Sequence, residues 1–240
     1  MIFDSPFWPR PRFVAGGGEA LIALEVCGEF SVLASDLRLE ELQVEVQPND
    51  FARFGQAEHE MLRQSNLEVV SAMEAAPQVV SIRGVVSDPP DLEYLRRSLG
   101  LVHELLQNGG VGVVDPQTLQ QFSPLQWENL FWSGAFEPTS HATILLSPQD
   151  GEIWLHTRGM RVFGRPDISC HGVLPAQVER LQPVFNGLIR MQAAGAMIAE
   201  GQVVQAVGIE NRLVCRHTGS LDDPDFSNFR IELEWEEARS

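Results

Sequence analysis

The strongest restriction on the fold comes from residues 42–114, where strand-like and helical patterns alternate between clear breakers such as Pro48, Pro77 and Asp88-Pro89-Pro90. After the last breaker, apolar residues recur at helical spacing, and Asp91 is suited to cap the helix. These apolar positions are Leu92, Leu95, Leu99, Val102, Leu105 and Leu106. The succession of strand, helix, strand, helix and strand predicts an alternating α/β unit in this part of the chain.

The chain after Asp115-Pro116 favours strands, with one long helix. Ser123 and Pro124 predict the cap and the first residue of a short helix. The remaining predicted strands are 20–27, 30–34, 41–46, 79–86, 111–114, 202–209, 213–216 and 229–235, and the long helices are 51–76 and 175–200. A hairpin is expected from residues 142–146 and 153–157, and pairing 146 with 152 places Ala142 opposite His156 and His141 opposite Thr157.

These patterns predict an α+β (mixed α/β) protein with mixed β-sheets covered by about three main helices. We expect an N-terminal arm over 1–18, an N-terminal α/β half over 19–115 and a C-terminal α+β half over 116–240, packed as one compact unit. With 240 residues, 44% of them hydrophobic, the chain is long enough and apolar enough to bury a substantial core.

The charge distribution narrows the possible partners. The 17 basic residues are all arginine, and 33 acidic residues bring the formal net charge to -16. Such a surface repels polyanions, so nucleic acid and anionic membranes are not expected as partners, whereas a basic protein partner fits. The absence of lysine excludes a P-loop, a pyridoxal phosphate Schiff base and serine/lysine catalysis, and it fits an arginine-rich, high-GC bacterial source.

Several further motifs argue against a cofactor or a metal. Gly16-Gly17-Gly18 leads into a predicted strand, whereas a phosphate loop must open a helix. Four potential metal ligands, His141, His156, Cys170 and His171, fall within thirty residues, but their spacing is not that of a standard zinc module. In an extended segment Cys170 and His171 point to opposite faces and form no dyad. Together with Cys27 and Cys215, Cys170 is interpreted as a reduced core residue of a cytoplasmic protein.

Residues 154–167 combine histidine, threonine, three arginines, two glycines and an aspartate at the exit of a predicted strand. The residues Thr157, Gly159, Met160, Phe163, Gly164, Pro166 and Asp167 follow the pattern Thr-x-Gly-(Leu/Met)-x-x-(Phe/Leu)-Gly-x-Pro-(Asp/Glu). Through this pattern, the C-terminal half of the chain resembles an uncharacterised bacterial family, domain of unknown function 4261. The resemblance implies an α+β domain and does not imply any activity.

Two interpretations of this segment stay open. In the structural one, Gly159 and Gly164 adopt positive φ, Pro166 stiffens the exit and Phe163 anchors the loop in the core. In the functional one, the segment binds a small anion, or serves a hydrolase in which His156 is the acid/base and the arginines hold the anion. The candidate ligand-binding residues are then His156, Thr157, Arg158, Arg161, Arg165 and Asp167.

The final predicted strand alternates apolar Ile231, Leu233 and Trp235 with acidic residues. The candidate partner-binding acids are Asp222, Asp223, Glu232, Glu234 and Glu236. Since no catalytic motif such as Gly-x-Ser-x-Gly occurs, the leading hypothesis is a non-enzymatic interaction protein, immunity or antitoxin-like, whose acidic face binds a basic partner. The alternative is that these acids form the solvent-exposed face of an edge strand and prevent aggregation through that edge. A scaffolding subunit that docks its aromatic arm, Phe3 to Phe13, on a neighbouring chain is a third hypothesis.

Overall fold

The computed structural model describes residues 8–31, 42–50, 66–223 and 226–236. The chain divides into two structural units. The first comprises residues 1–8, 21–86 and 91–136, and the second comprises residues 9–20, 87–90 and 137–240. The second unit is therefore built from three separate pieces of the chain, two of them short.

The described part of the first unit contains a five-stranded sheet in the order β2-β3-β1-β4-β5. Its strands are β1 (Glu19–Gly28), β2 (Gln43–Pro48), β3 (Gln78–Ser87), β4 (Gly110–Asp115) and β5 (Gln120–Phe122). Pairing is antiparallel between β2 and β3, between β1 and β4, and between β4 and β5. The predicted alternation of strands and helices is present, but these pairs are not the parallel ladders typical of α/β units.

Helices α1 (Leu67–Ala75) and α2 (Glu93–Gln107) belong to this unit. In α1, Met73 packs so closely on the sheet that a Cβ at Gly112 of β4 would lie 2.7 Å from its Cγ. The six apolar positions of the α2 stripe are all buried, which confirms the predicted helix face. The predicted cap was one residue too early: Leu92 is the N-cap, and Asp91 precedes it and accepts from the Glu93 N–H at 3.0 Å.

The unit ends in a short helical segment around aromatic residues. Helix α3 (Pro124–Trp127) begins as predicted, with the Ser123 side chain accepting from the Gln126 N–H. It continues as one π-helical turn over Glu128–Trp132. Predictions that fall on residues 32–41 and 51–65, including most of the expected helix 51–76, lie outside the described residues.

The second unit contains a six-stranded mixed sheet in the order β6-β7-β8-β11-β10-β9. Its strands are β6 (Thr143–Gln149), β7 (Glu152–Arg158), β8 (Asp167–Val173), β9 (Val203–Val204), β10 (Leu213–Ser220) and β11 (Asn228–Trp235). Strands β8 and β11 are parallel, and the other neighbours are antiparallel. Helix α4 (Val178–Ala193) contributes Leu181, Phe185, Leu188 and Ile189 to the buried core.

Three predictions for this unit were wrong in their details. The hairpin exists, but Leu146 pairs with Leu155 and Leu145 with His156, because a two-residue Asp150-Gly151 turn with positive φ at both positions extends the strands. His141 consequently precedes β6. The long helix starts at Val178 and ends at Ala193, since Gly195 adopts a φ of 95°. The strand expected over 202–209 is reduced to β9.

Among the described residues, no helix has both the length and the apolarity that crossing a membrane requires.

Candidate functional site

The segment between β7 and β8 is a tightly anchored turn. It contains one 3-10 turn, Met160–Phe163, bounded by Gly159 at φ 105° and Gly164 at φ 60°. Met160 and Phe163 are completely buried. The positive φ angles of Gly159 and Gly164 and the burial of Phe163 agree with the structural interpretation.

Asp167 is buried at the start of β8 and accepts three hydrogen bonds. The donors are Asn228 Nδ2 at 2.8 Å, Thr157 Oγ1 at 2.9 Å and the Met160 N–H at 3.3 Å. Burial raises the pKa of Asp167 to about 6, although the three donors act in the opposite direction. Thr157 Oγ1 also accepts from the Ile168 N–H at 2.8 Å, so the threonine and the aspartate hydrogen-bond the end of β7 to the start of β8.

Arg165 has a completely buried side chain and uses all five of its N–H donors within the second unit. Nη1 binds Asp88 Oδ1 at 3.2 Å and the Gly164 carbonyl at 2.9 Å. The other acceptors are the carbonyls of Val14 (3.2 Å from Nη2), Gly195 (2.9 Å from Nη2) and Ala196 (3.3 Å from Nε). With every donor engaged, Arg165 has no N–H left for a ligand anion.

Arg10 plays a similar role, which the sequence analysis missed. Its buried guanidinium donates to the carbonyl oxygens of Pro89 at 2.8 Å, Phe163 at 2.9 Å, Gln192 at 3.0 Å and Ala193 at 3.1 Å. These acceptors come from three distant parts of the sequence. No local pattern could have identified them, and the only sequence signal is an arginine in a short Pro-rich arm.

The Gly16-Gly17-Gly18 loop encloses a carboxylate of its own chain. The Gly16 N–H donates to Asp88 Oδ2 at 2.7 Å, and the Gly18 N–H donates to the Gly164 carbonyl at 3.0 Å. Burial raises the pKa of Asp88, but the Gly16 N–H, Arg165 and the Gly17 N–H outweigh it and hold the pKa below its ordinary value. The Asp88 carboxylate therefore takes up the N–H groups of Gly16 and Gly17 that an external anion would need.

The other candidate ligand-binding residues have separate surroundings. His156 is buried, with Nε2 3.3 Å from Ser147 Oγ and its ring 4.2 Å from the Trp154 ring. Arg161 Nη1 donates to the Ser227 carbonyl at 3.0 Å. Arg158 lies close enough to Asp167 for its charge to lower the pKa of that carboxyl. The structure thus joins Thr157 to Asp167, and it gives Arg161 and Arg165 different partners.

The other candidate metal ligands, His141, Cys170 and His171, also lie in different surroundings. His141 is buried against Phe163, and burial lowers its pKa to about 3, so the ring is neutral at pH 7. His171 is exposed and stacked on Trp154, while neighbouring Cys170 is buried on the other side of the strand, as predicted. In the described part of the chain, no group of three His, Cys, Asp or Glu side chains could hold a metal ion.

The predicted acidic surface lies on the β10–β11 hairpin. Ile231 and Leu233 are buried while Glu234 is exposed, which confirms the alternation of this strand. The acids alternate with arginines across the hairpin: Glu234–Arg216 at 3.4 Å, Glu236–Arg212 at 2.8 Å and Asp223–Arg230 at 3.0 Å. Arg216 also binds Glu200 at 3.1 Å, and Glu232 accepts from the His171 N–H at 3.2 Å. The sequence analysis did not identify Glu200 as part of this surface.

Comparison with known proteins found no matching family model, no matching curated protein and no matching solved structure.

Proposed function

We propose that this chain is a non-enzymatic, cytoplasmic bacterial interaction protein that binds a basic protein partner through the acidic hairpin surface, in the manner of an immunity or antitoxin-like protein. The acidic hairpin surface comprises Glu200, Asp222, Asp223, Glu232, Glu234 and Glu236. The observation that carries the proposal is that, within residues 200–223 and 226–236, the ion pairs of these six carboxylates involve three guanidinium groups, those of Arg212, Arg216 and Arg230.

The arrangement of these charges supports attraction of a cation. Arg216 is shared by Glu200 and Glu234, so one negative charge of that cluster is not compensated by it. Asp222 is exposed at the hairpin end. An excess of exposed carboxylates on one surface steers a basic protein toward it and makes association sensitive to salt. The arginines between the acids also give a partner's own carboxylates defined places to bind.

The hydrolase or anion-binding alternative has weaker support. It requires arginines with N–H donors available to a substrate anion, and all five donors of Arg165 are bound within the protein. The ionisable carboxyl group of Asp167 is also buried and accepts hydrogen bonds from three donors of the protein. We therefore assign Arg165 and Asp167 a structural role in this proposal.

The test compares two variants with the same change in net charge. The hairpin variant carries Asp222→Asn, Glu232→Gln, Glu234→Gln and Glu236→Gln. The control variant neutralises four exposed acids of the first unit, Glu29, Glu45, Glu68 and Glu104. Each tagged protein is incubated with lysate of the source bacterium at low and moderate salt, and any stoichiometric partner is identified, purified and measured by calorimetry.

We expect a basic partner that wild type and the control variant bind with similar affinity, and that the hairpin variant binds at least tenfold more weakly. Higher salt should weaken the wild-type complex. Equal affinity of the two variants would show that general negative charge, and not this surface, attracts the partner. Absence of any stoichiometric basic partner would contradict the proposal as a whole.

A further inference from the structure

A cavity of about 460 Å³ opens in the second unit, beside the Gly16–Gly18 loop and Arg165 described above. Its wall combines the Gly16–Gly18 loop, the residues Gly164, Arg165 and Pro166 that precede β8, and residues on both sides of the turn between β10 and β11. The volume falls in the range of small-molecule sites, and every wall belongs to the same unit.

The cavity concentrates exposed apolar side chains. Phe229, Leu221 and Met197 line it and are 47%, 41% and 38% exposed, so three large apolar side chains meet solvent in one cavity. Backbone of five glycines, including Gly164 and Gly219, completes much of the remaining wall. Covering these three side chains with the apolar body of a ligand would remove their surface from water.

Two arginines line this cavity, and they differ in how their donors are used. Arg165 has no free donor, as described above, and acts only as a wall. Arg230 makes one ion pair, from Nη1 to Asp223 Oδ2 at 3.0 Å, and its guanidinium lies 4.6 Å from the centre of the Phe226 ring. Its Nε is buried without a hydrogen-bond acceptor among the described residues, and its side chain is 21% exposed. Of the two arginines, Arg230 is therefore the one whose N–H groups are not all hydrogen-bonded among the described residues, and because Nε itself is buried, a ligand acceptor would approach the exposed part of its side chain.

The same wall disfavours phosphate. The N–H groups of Gly16 and Gly17 are bound to Asp88, and the Gly18 N–H is bound to Gly164, so the glycine loop has no converging donors to offer. Asp223 already compensates part of the Arg230 charge, and Glu19 also lines the cavity. One partly compensated arginine suits a single carboxylate or carbonyl, and not a polyanion.

We propose that this cavity binds a small molecule with an apolar body and one acceptor group, a carboxylate in the first instance, which Arg230 receives while Phe229, Leu221 and Met197 cover the apolar part. The site adjoins the proposed partner surface through Arg230 and its ion-pair partner Asp223, but the four acids neutralised in the hairpin variant do not line the cavity, so the two proposals are tested by different variants.

The probe is 1-anilinonaphthalene-8-sulfonate, which has an aromatic body and one anionic acceptor group, measured by calorimetry on the full chain. Decanoate, decanol and decylammonium then compete for the site. Thr218→Trp fills the cavity from an exposed strand position, and Leu221→Glu is a second blocking variant. Val207→Trp adds the same indole at a site 94% exposed and outside the cavity. Circular dichroism and urea unfolding confirm that each variant is folded.

We expect one probe per chain, at least tenfold weaker binding in both blocking variants and unchanged binding in Val207→Trp. Decanoate should compete about tenfold better than decanol and decylammonium, and Arg230→Gln should remove that preference. Absence of saturable binding, or equal binding by the blocking variants and Val207→Trp, would overturn the site. A preference for decanoate that survives Arg230→Gln would overturn the role of Arg230.

Discussion

Replacing Arg165 with lysine tests whether the buried guanidinium organises the second unit. Lysine keeps the positive charge but has three N–H donors, so at least two of the five hydrogen bonds are lost. A hydrogen bond to a charged group contributes about 1.5–3 kcal/mol. We therefore expect Arg165→Lys to lower the free energy of unfolding by about 4 kcal/mol, which corresponds to a fall of about 10 °C in Tm for a chain of this size.

The matched control is Arg190→Lys in the same unit. Arg190 is 53% exposed and pairs with Glu137 at the surface, so its replacement should change stability by less than about 1 kcal/mol. Urea unfolding monitored by circular dichroism gives both values. Hydrogen exchange adds a local measure, because only Arg165→Lys should speed exchange in peptides that cover residues 9–20 and 87–90.

Equal unfolding midpoints for Arg165→Lys and Arg190→Lys would refute this reasoning, since five internal hydrogen bonds would then contribute no more than one surface ion pair. A large loss of stability without faster exchange in residues 9–20 would refute the more specific claim that Arg165 holds the N-terminal segment in place.

Three further predictions concern pH, backbone space and thiol chemistry. The pKa of Asp167 is raised to about 6 in the folded chain, so the protonated carboxyl stabilises the fold. This contribution to the free energy of unfolding is complete below about pH 4 and falls by about 3 kcal/mol as the pH rises to about 6. Asp167→Asn should remove this pH dependence from urea unfolding measured at a series of pH values. Gly17→Ala should destabilise the chain, since its Cβ would lie 1.7 Å from Arg165 Nη1, whereas Gly187→Ala, in open space on α4, should stabilise it by about 1 kcal/mol in thermal melts. A thiol reagent at pH 8 should leave the native protein unlabelled and label three thiols in urea, because the cysteines are buried and burial raises the pKa of Cys170 to about 12; rapid labelling of native protein would contradict this assignment.

Local patterns predicted the elements whose formation depends on neighbours in sequence. The Leu95 and Leu99 stripe of α2 and the Ser123 cap of α3 are examples, since periodicity and capping act within one or two turns. The Asp150-Gly151 turn also has a local signal, and giving it more weight would have corrected the β6–β7 register.

The roles of Arg10 and Arg165 depend instead on contacts between distant residues. Arg165 binds Val14, Asp88 and Gly195, which are separated from it by up to 151 positions. A contact between distant residues also accompanies the end of α4. A Cβ at Gly195 would lie 2.5 Å from Phe13 Cα, so only glycine fits where the helix ends against the N-terminal segment. A sequence pattern identifies the arginines but cannot show that their acceptors are backbone carbonyls of the chain itself.

The division of the second unit into three pieces determines when it can be completed during synthesis. Residues 9–20 and 87–90 leave the ribosome first, but the donors and acceptors that fix them, Arg165 and the carbonyls near Gly195, are translated at least 75 residues later than residue 90. The two early pieces therefore wait for the last third of the chain. For the same reason, an expression fragment that starts at Glu137 lacks both Arg10 and Asp88, and dissecting the protein at that boundary removes part of the unit it is meant to isolate.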